Sequence, residues 1–380
     1  MNKIKIGITG QPGFVGTHLY NYLGLHEGVE RVPFKDEFFD SKKALRDFVK
    51  QCDAIVHLAA MNRHPDPQVI YDTNILLVKK LINACEATGS TPHILFSSST
   101  QEEKDNLYGK SKYEGRKLLE SWAMKNNAHF TGFIIPNVFG PFGKPYYNSF
   151  IATFCYQLTH DEQPKIDVDG SVKLIYVGEL VREIYDHIVL MSKEEKGLTI
   201  VDEVIIEHTS ERKVSETLAL LNSFKQNYLE KGIIPDLDNA FEGNLFNTFV
   251  TYIDFEKFFP FYLKQHADNR GSFVEVVKLN SGGQVSFSTT VPGITRGNHF
   301  HTRKAERFAV IKGKARIEFR RIGTDKILSF ELDGNNPSFV DMPVWYTHNI
   351  TNIGDEELYT IFWISEQFNA EDSDTFYEKV

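Results

Sequence analysis

The sequence predicts an α/β domain built on a parallel sheet, followed by an all-β domain of antiparallel strands, with the join near residue 262. Three observations predict this. Between residues 3 and about 200, near-continuous apolar runs alternate with stretches of helical periodicity, as expected of strands buried on both faces and joined by crossover helices. After about residue 265, short β-branched and aromatic segments follow one another across SGG, PG, KG, DGNN and IGD with no helical stretch between them, which reads as a sandwich or barrel. A chain of 380 residues has room for two or three domains.

In the first part, KIKIGIT (3–9), DAIVHLA (53–59), HILFSS (93–98) and FTGFIIP (130–136) are the strands. Residues 67–88 carry Ile70, Asn74, Leu77 and Leu81 at three- and four-residue spacing, and this spacing predicts a helix. A similar rhythm predicts a second helix over 111–125. Residues 198–262 are less regular, with a helix over 215–224 and another over 237–253 that caps the first part. The aromatic stretch 252–266 bridges to SFVEVVKL (272–279), QVSFSTTV (284–291), RFAVIKGKARIEFRRI (307–322), ILSFELD (327–333), SFVDMP (338–343) and ELYTIFWI (357–364). The predicted domains are therefore 1–262 and 263–380.

Composition narrows the function classes. Hydrophobic residues make up 41% and charged residues 24%, the balance of an ordered globular chain. A formal charge of −9 argues against a nucleic-acid binder, which needs a basic face. No apolar run approaches the ~18 residues of a membrane span. MNKIKIGITG enters a strand directly, without a signal core. Cys52, Cys85 and Cys155 lack CxxC spacing, so a reducing cytoplasm is the expected setting.

The first strand runs into Thr9-Gly10-Gln11-Pro12-Gly13-Phe14-Val15-Gly16. Gly10 allows a tight turn, Gly13 opens a helix N-terminus suited to a pyrophosphate, and Gly16 permits close helix–strand packing. This predicts a dinucleotide site. At the end of the second strand, Lys35 stands where an NAD enzyme places an acid. A lysine there can pair with a 2′-phosphate and favours NADPH, while the adjacent Asp36 leaves NADH open. Further on, Ser97-Ser98-Ser99-Thr100 ends a strand, and Tyr108 and Lys112 lie four apart on one helical face. An ammonium beside the phenol would lower its pKa and make it a proton donor or acceptor for a carbonyl–alcohol interconversion.

TGQPGFVG, DAIVHLAA, SSST and YGKSK resemble the extended short-chain dehydrogenase/reductases that act on nucleotide sugars, over residues 1–262. The resemblance implies a Rossmann-type domain with Tyr108, Lys112 and Ser99 as catalytic residues. It implies Leu58, Asn74 and Pro136 in the cofactor site, with Asn74 also supporting the lysine and its water. Arg63, Asn137 and Asn148 would face the substrate. Ile134 departs from the family's arginine two residues before the proline.

In the second part, Gly293, His299, His301, Glu306 and Gly313 are spaced so that two histidines share one face of a strand. Glu306 would return on the next strand and His348 on a distant one. Three imidazoles and a carboxylate suit zinc first, with nickel and iron compatible. The spacing resembles the cupin signature, which implies a jelly-roll barrel. Trp345, where glycine is common, would narrow the pocket. The run around Arg270 resembles the opening of deoxysugar 3,5-epimerases, which implies a contact from Arg270 to a sugar-nucleotide phosphate. Tyr346 and Asp341 are candidates for proton transfer, and structural roles are open for both.

The fusion in this order is similar to the bifunctional reductase/epimerases of bacterial capsular-polysaccharide synthesis. That similarity implies a homodimer whose cupin epimerises C3 of a UDP-2-acetamido-2,6-dideoxy-4-hexulose. The Rossmann-type domain would then reduce C4 with NADPH, giving UDP-2-acetamido-2,6-dideoxy-L-talose towards UDP-N-acetyl-L-fucosamine. A cupin serving only as a structural, dimerising or sensing module is the alternative.

Overall fold

The computed structural model describes residues 3–193, 199–269 and 271–380, and the chain divides into two compact units. The first comprises Met1–Phe139, Gly143–Ser149 and Ser171–Arg212. Its sheet contains β1 (Ile4–Thr9), β2 (Val29–Val32), β3 (Ala54–His57), β4 (His93–Ser99) and β5 (His129–Ile135). A short β6 (Asn137–Phe139) and β7 (Ser171–Tyr176) pair with each other, and β8 (Ile200–Ile205) completes the main sheet. The order is β2-β1-β3-β4-β5-β8, all parallel. The chain leaves β1 towards β2 on one side and returns with β3 on the other, so a crevice opens beyond the carboxyl ends of these strands.

Apolar clusters cover both faces. On one face α2 (Lys42–Val49), α3 (Pro67–Thr88) and α4 (Leu107–Asn126) bring Phe48, Leu81 and Trp122 onto Ile55, Ile94 and Phe130. On the other, α1 (Phe14–Leu23) and the helix Val177–Met191 bring Leu19 and Ile184 onto Ile8, Val56 and Phe133. The α3 boundaries follow from local chemistry: Asp66 accepts from the Gln68 amide, Pro67 takes the first turn, and Gly89 at φ 63° ends the helix. In α4, Asn106 accepts from the Gly109 amide at 2.8 Å. The helix thus starts four residues before the expected 111, with Tyr108 in its first turn.

His57 and His93 are buried in this unit, and burial pushes each down to about 3. His57 bonds Thr9 Oγ1 at 2.6 Å and His93 bonds Thr131 Oγ1 at 2.9 Å. A depressed folded pKa means that the unfolded chain takes up the proton first. The stabilisation is complete above ~6.5 and is lost as pH falls towards 3, by at most ~1.4 kcal/mol per pH unit per histidine. Denaturant melts should therefore lose stability between pH 6.5 and 5.5, and His93→Gln should flatten that slope. An equal slope in the variant would assign the loss to other groups.

The second unit comprises Gly140–Phe142, Phe150–Gly170 and Lys213–Val380. One five-stranded antiparallel sheet runs Phe261–Tyr262, Ser338–Met342, Glu306–Lys312, Leu358–Ile364, Gln284–Thr290. The other runs Ile327–Asp333, Lys314–Arg321, Tyr346–Asn352, Thr295–Phe300, Phe376–Tyr377. This is the expected double-sheet jelly roll. The helices Val214–Phe224 and Ala240–Val250 pack with it, although the sequence placed them with the first part. Tyr228 donates to Asp341 at 2.6 Å, Asn247 donates to the Arg303 carbonyl at 3.0 Å, and Phe224 meets Phe246 edge-on. An apolar helical face specifies burial but carries no address for a particular sheet.

Candidate active sites

The first candidate site forms at the carboxyl ends of β1, β3 and β4. Gly10 has φ 71°, and a Cβ there would lie 2.8 Å from Ala59 backbone atoms. A Cβ on Gly16 would lie 2.3 Å from the Gly10 carbonyl. The loop is thus closed by backbone contacts that only glycine allows. Gly13 caps α1 with no side-chain bond to the first turn, and no acid stands there. The amides of Phe14, Val15 and Gly16 therefore begin a ten-residue helix without a side-chain cap, as an anion site requires. Thr9, whose hydroxyl bonds His57, joins the loop to β3, and the Leu58 amide donates to the Thr9 carbonyl at 3.2 Å. Lys35 is exposed before the short 3-10 helix Asp36–Asp40.

The three serines differ in what their hydroxyls do. Ser97 donates to the His57 carbonyl at 3.2 Å and Ser98 donates to Glu102. Ser99 accepts from the Gln101 amide at 3.2 Å, which leaves its own proton to donate. Lys112 is buried, donates to the Ser97 carbonyl at 2.8 Å, and stands 5.8 Å from the centroid of the Tyr108 ring. Burial lowers Lys112 to about 8 against the pull of Glu102. The expected fall of the Tyr108 pKa is not found. Burial, with Tyr147 nearby, pushes it up to about 12, because a phenolate is poorly solvated there.

Asn74 holds the Met61 backbone through its amide, at 2.7 Å and 3.1 Å, and donates to Ser111 at 3.0 Å. Ser111 in turn donates to the Tyr108 carbonyl at 2.7 Å. Asn74 thus reaches Tyr108 through the backbone, a link that helical spacing does not announce. Arg63 donates to the carbonyls of Tyr146 and Tyr147 at 3.1 Å and 2.9 Å, tying down the Gly143–Ser149 segment. Pro136 is buried behind β5, while Asn137 and Asn148 are exposed. Sequence reasoning missed Arg116, which is buried and paired with Glu102 at 2.7 Å. The pair fixes the turn after Ser99 from 14 residues away, without a motif to mark it.

The second candidate site brings His299, His301, Glu306 and His348 together, with ligand atoms all within 4.8 Å of one another. A bulge in the Thr295–Phe300 strand sets this up. Gly297 has φ 96° and Asn298 φ 60°, and beyond them His299 falls opposite His348. Glu306 Oε2 lies 2.8 Å from His348 Nε2, 3.4 Å from His301 Nε2 and 3.9 Å from His299 Nε2. Burial works against the Glu306 carboxylate, yet the three histidines hold its pKa well below the usual range. His301 Nε2, Glu306 Oε2 and His348 Nε2 are buried and face only one another, with no hydrogen-bond partner outside the cluster. Polar atoms left so would cost ~1–3 kcal/mol each, and their convergence fits one divalent ion. Among the described residues this is the single cluster of its kind.

The neighbours of this cluster bear on Trp345, Asp341 and Tyr346. Trp345 takes φ 63°, the left-handed conformation for which glycine is common, and its ring stacks on Phe300. The ring is therefore buried in the wall. Asp341 receives Arg307 through Nε and Nη2 at 2.7 Å and 2.9 Å, besides Tyr228, and is a structural counter-ion. Tyr346 is buried, and burial pushes it up to about 12. Arg270 lies outside the described residues. No described helix is long and apolar enough to cross a membrane.

Residues 6–197 match the NAD dependent epimerase/dehydratase family, and residues 266–376 match the polysaccharide biosynthesis C-terminal domain. The chain is 32% identical over 374 residues, 98% of each chain, to the UDP-2-acetamido-2,6-beta-L-arabino-hexul-4-ose reductase of Pseudomonas aeruginosa. The capsular polysaccharide assembling protein CapF from Staphylococcus aureus, a solved structure, covers all of both chains at 35% identity with a TM-score of 0.61. A crystal structure of CapF with the inhibitor 3-isopropenyl-tropolone covers 99% of this chain and 100% of that one, at 32% identity and a TM-score of 0.58. With two units in the same order and similarity along nearly its whole length, the chain belongs to the NAD dependent epimerase/dehydratase family, in its CapF-type form with a polysaccharide biosynthesis C-terminal domain.

Proposed function

We propose that the chain is a bifunctional nucleotide-sugar enzyme. Its β-rich unit epimerises C3 of a UDP-2-acetamido-2,6-dideoxy-4-hexulose, and its parallel-sheet unit reduces the C4 ketone with NADPH. The product is UDP-2-acetamido-2,6-dideoxy-L-talose, towards UDP-N-acetyl-L-fucosamine. The observation that carries this reading is the buried Lys112, bonded to the Ser97 carbonyl near the end of β4 and lying beside the Tyr108 ring, together with the helix N-terminus after Gly13. The name of the Pseudomonas aeruginosa relative supports the substrate class.

The Thr9–Gly16 loop would hold the pyrophosphate of the dinucleotide, which when bound would supply a hydride for C4. Tyr108 donates its proton to the C4 oxygen, and Ser99 donates a hydrogen bond to the same atom. The high pKa of Tyr108 keeps the phenol protonated until that oxygen gains charge. Lys112 then offsets the charge left on the phenolate. In the other unit, His299, His301, Glu306 and His348 would hold a divalent ion, zinc first, supplying Lewis acidity for charge on the ketone oxygen as the C3 proton leaves. A tropolone, the inhibitor class named with CapF, has adjacent ketone and hydroxyl oxygens that chelate such ions, which supports this assignment. Epimerisation exchanges stereoisomers and is nearly balanced. Reduction removes the ketone that makes C3–H acidic and so traps one epimer. The reading includes a homodimer, and the exposed Val285 and Phe287 on an edge strand are apolar surface that a second copy can cover.

Incubating the chain with the keto sugar and NADPH, and resolving the product alcohol by NMR, tests the reading. No NADPH consumption with any UDP-4-keto sugar would overturn it. Lys35 supplies a further check, since it stands beyond β2 with an unpaired charge among its described contacts. Lys35→Glu should weaken NADPH relative to NADH by about 1–3 kcal/mol. An unchanged ratio of the two dissociation constants would place the selector elsewhere.

A further inference from the structure

We infer that the segment Asp372–Glu378 is the positioning element of the four-donor cluster, acting chiefly through Asp374. The inference deepens the metal reading above and rests on it. His301 Nδ1 lies 2.5 Å from the Asp374 carbonyl oxygen. An N–H on Nδ1 leaves Nε2 as the lone-pair nitrogen, the one nearest Glu306. The Asp374 carboxylate, 5% exposed, accepts from the Thr302 hydroxyl at 2.6 Å and from the amides of Thr302, Arg303 and Lys304 at 3.0–3.2 Å. Those amides form the turn between His301 and Glu306, so one carboxylate fixes the separation of two donors. Lys304 closes the same turn by donating to the Ser373 carbonyl at 2.8 Å.

The other histidines are held by the same segment. Phe376 and Tyr377 pair with Phe300 and His299, and the Glu378 amide donates to the Asn298 carbonyl at 3.0 Å, on the bulge that aims His299. Thr347, beside His348, donates to the Glu378 carbonyl. One stretch thus touches all three histidine-bearing segments while none of its residues belongs to the cluster. Covering a sheet edge would need only the strand pairing. A buried carboxylate on three successive amides beside a donor is a different device, since it sets an angle. Asp374 itself takes φ 43°, a conformation that Asp and Asn tolerate better than other side chains.

The test strips the full chain with a chelator and titrates it with Co2+, whose visible d–d bands report ligand geometry, and with Zn2+ in competition. The wild-type chain should take up Co2+ stoichiometrically. Asp374→Ala should bind about 10- to 100-fold more weakly with altered bands. Asp374→Asn, which keeps an acceptor for the turn, should fall between the two. Thr302→Val removes the hydroxyl bond alone and should weaken binding several-fold. If Asp374→Ala, folded by circular dichroism, binds Co2+ with wild-type affinity and spectrum, the inference is overturned while the metal reading stands. If the wild-type chain takes up no ion, the metal reading falls and takes this inference with it. Should Asp374→Ala fail to fold, wild-type affinity in Thr302→Val would overturn the inference.

Discussion

His299→Ala is expected to release the ion from the β-rich unit and to abolish exchange of the C3 proton with solvent deuterium, while C4 reduction persists. His299 is the least buried of the four donors, so its loss opens the cluster with the least disturbance to the core. The remaining His301, Glu306 and His348 stay at mutual distances of 2.8 Å and 3.4 Å around one carboxylate oxygen. Uncatalysed exchange beside a ketone is slow, and loss of the Lewis acid removes several kcal/mol of charge stabilisation, a drop of at least about 10³-fold. The alcohol formed should then carry the unepimerised C3. Metal can also be folding energy for a small barrel, so near-UV circular dichroism must first match the wild type. A folded, metal-free variant that still exchanges C3–H at the wild-type rate would make the ion structural and remove the epimerase assignment.

The first fold was legible where local chemistry decided it. Strands such as 93–98 are apolar without alternation, and the helix over 67–88 has its cap, proline and terminal glycine within its own span, so each could be read residue by residue. The convergence of His299, His301, Glu306 and His348 was also readable, because strand geometry translates a two-residue spacing into a shared face. What escaped was non-local. Asp374 meets the turn after His301 from over 70 residues away, and nothing around it distinguishes it from a surface acid. Arg116 and Glu102 are ordinary charges until the fold buries both. The helices over 214–224 and 240–250 have apolar faces that fit either sheet in principle, and only packing assigns them to the second. The Tyr108 pKa had the wrong sign in the sequence reading because spacing reveals the lysine neighbour but not the degree of burial.

Tyr108→Phe is expected to lower turnover in C4 reduction by about 10²- to 10⁴-fold, with little change in NADPH affinity. The substitution removes one hydroxyl and keeps the ring that packs beside Lys112, so the variant should fold as the wild type does. What it lacks is a proton for the C4 oxygen, and Ser99 cannot replace it, because a serine hydroxyl that gives up its proton leaves a far stronger base. Lys112→Ala should behave differently. It removes the charge facing the phenolate and the bond to the Ser97 carbonyl, so turnover and cofactor affinity should fall together. Deuterium exchange at C3 should continue in Tyr108→Phe, the converse of His299→Ala, since that exchange needs the ketone but not its reduction. This pair of opposite losses separates the two chemistries within one chain. NADPH consumption by Tyr108→Phe within a few-fold of wild type would show that the proton comes from another group and would sink the assignment of Tyr108.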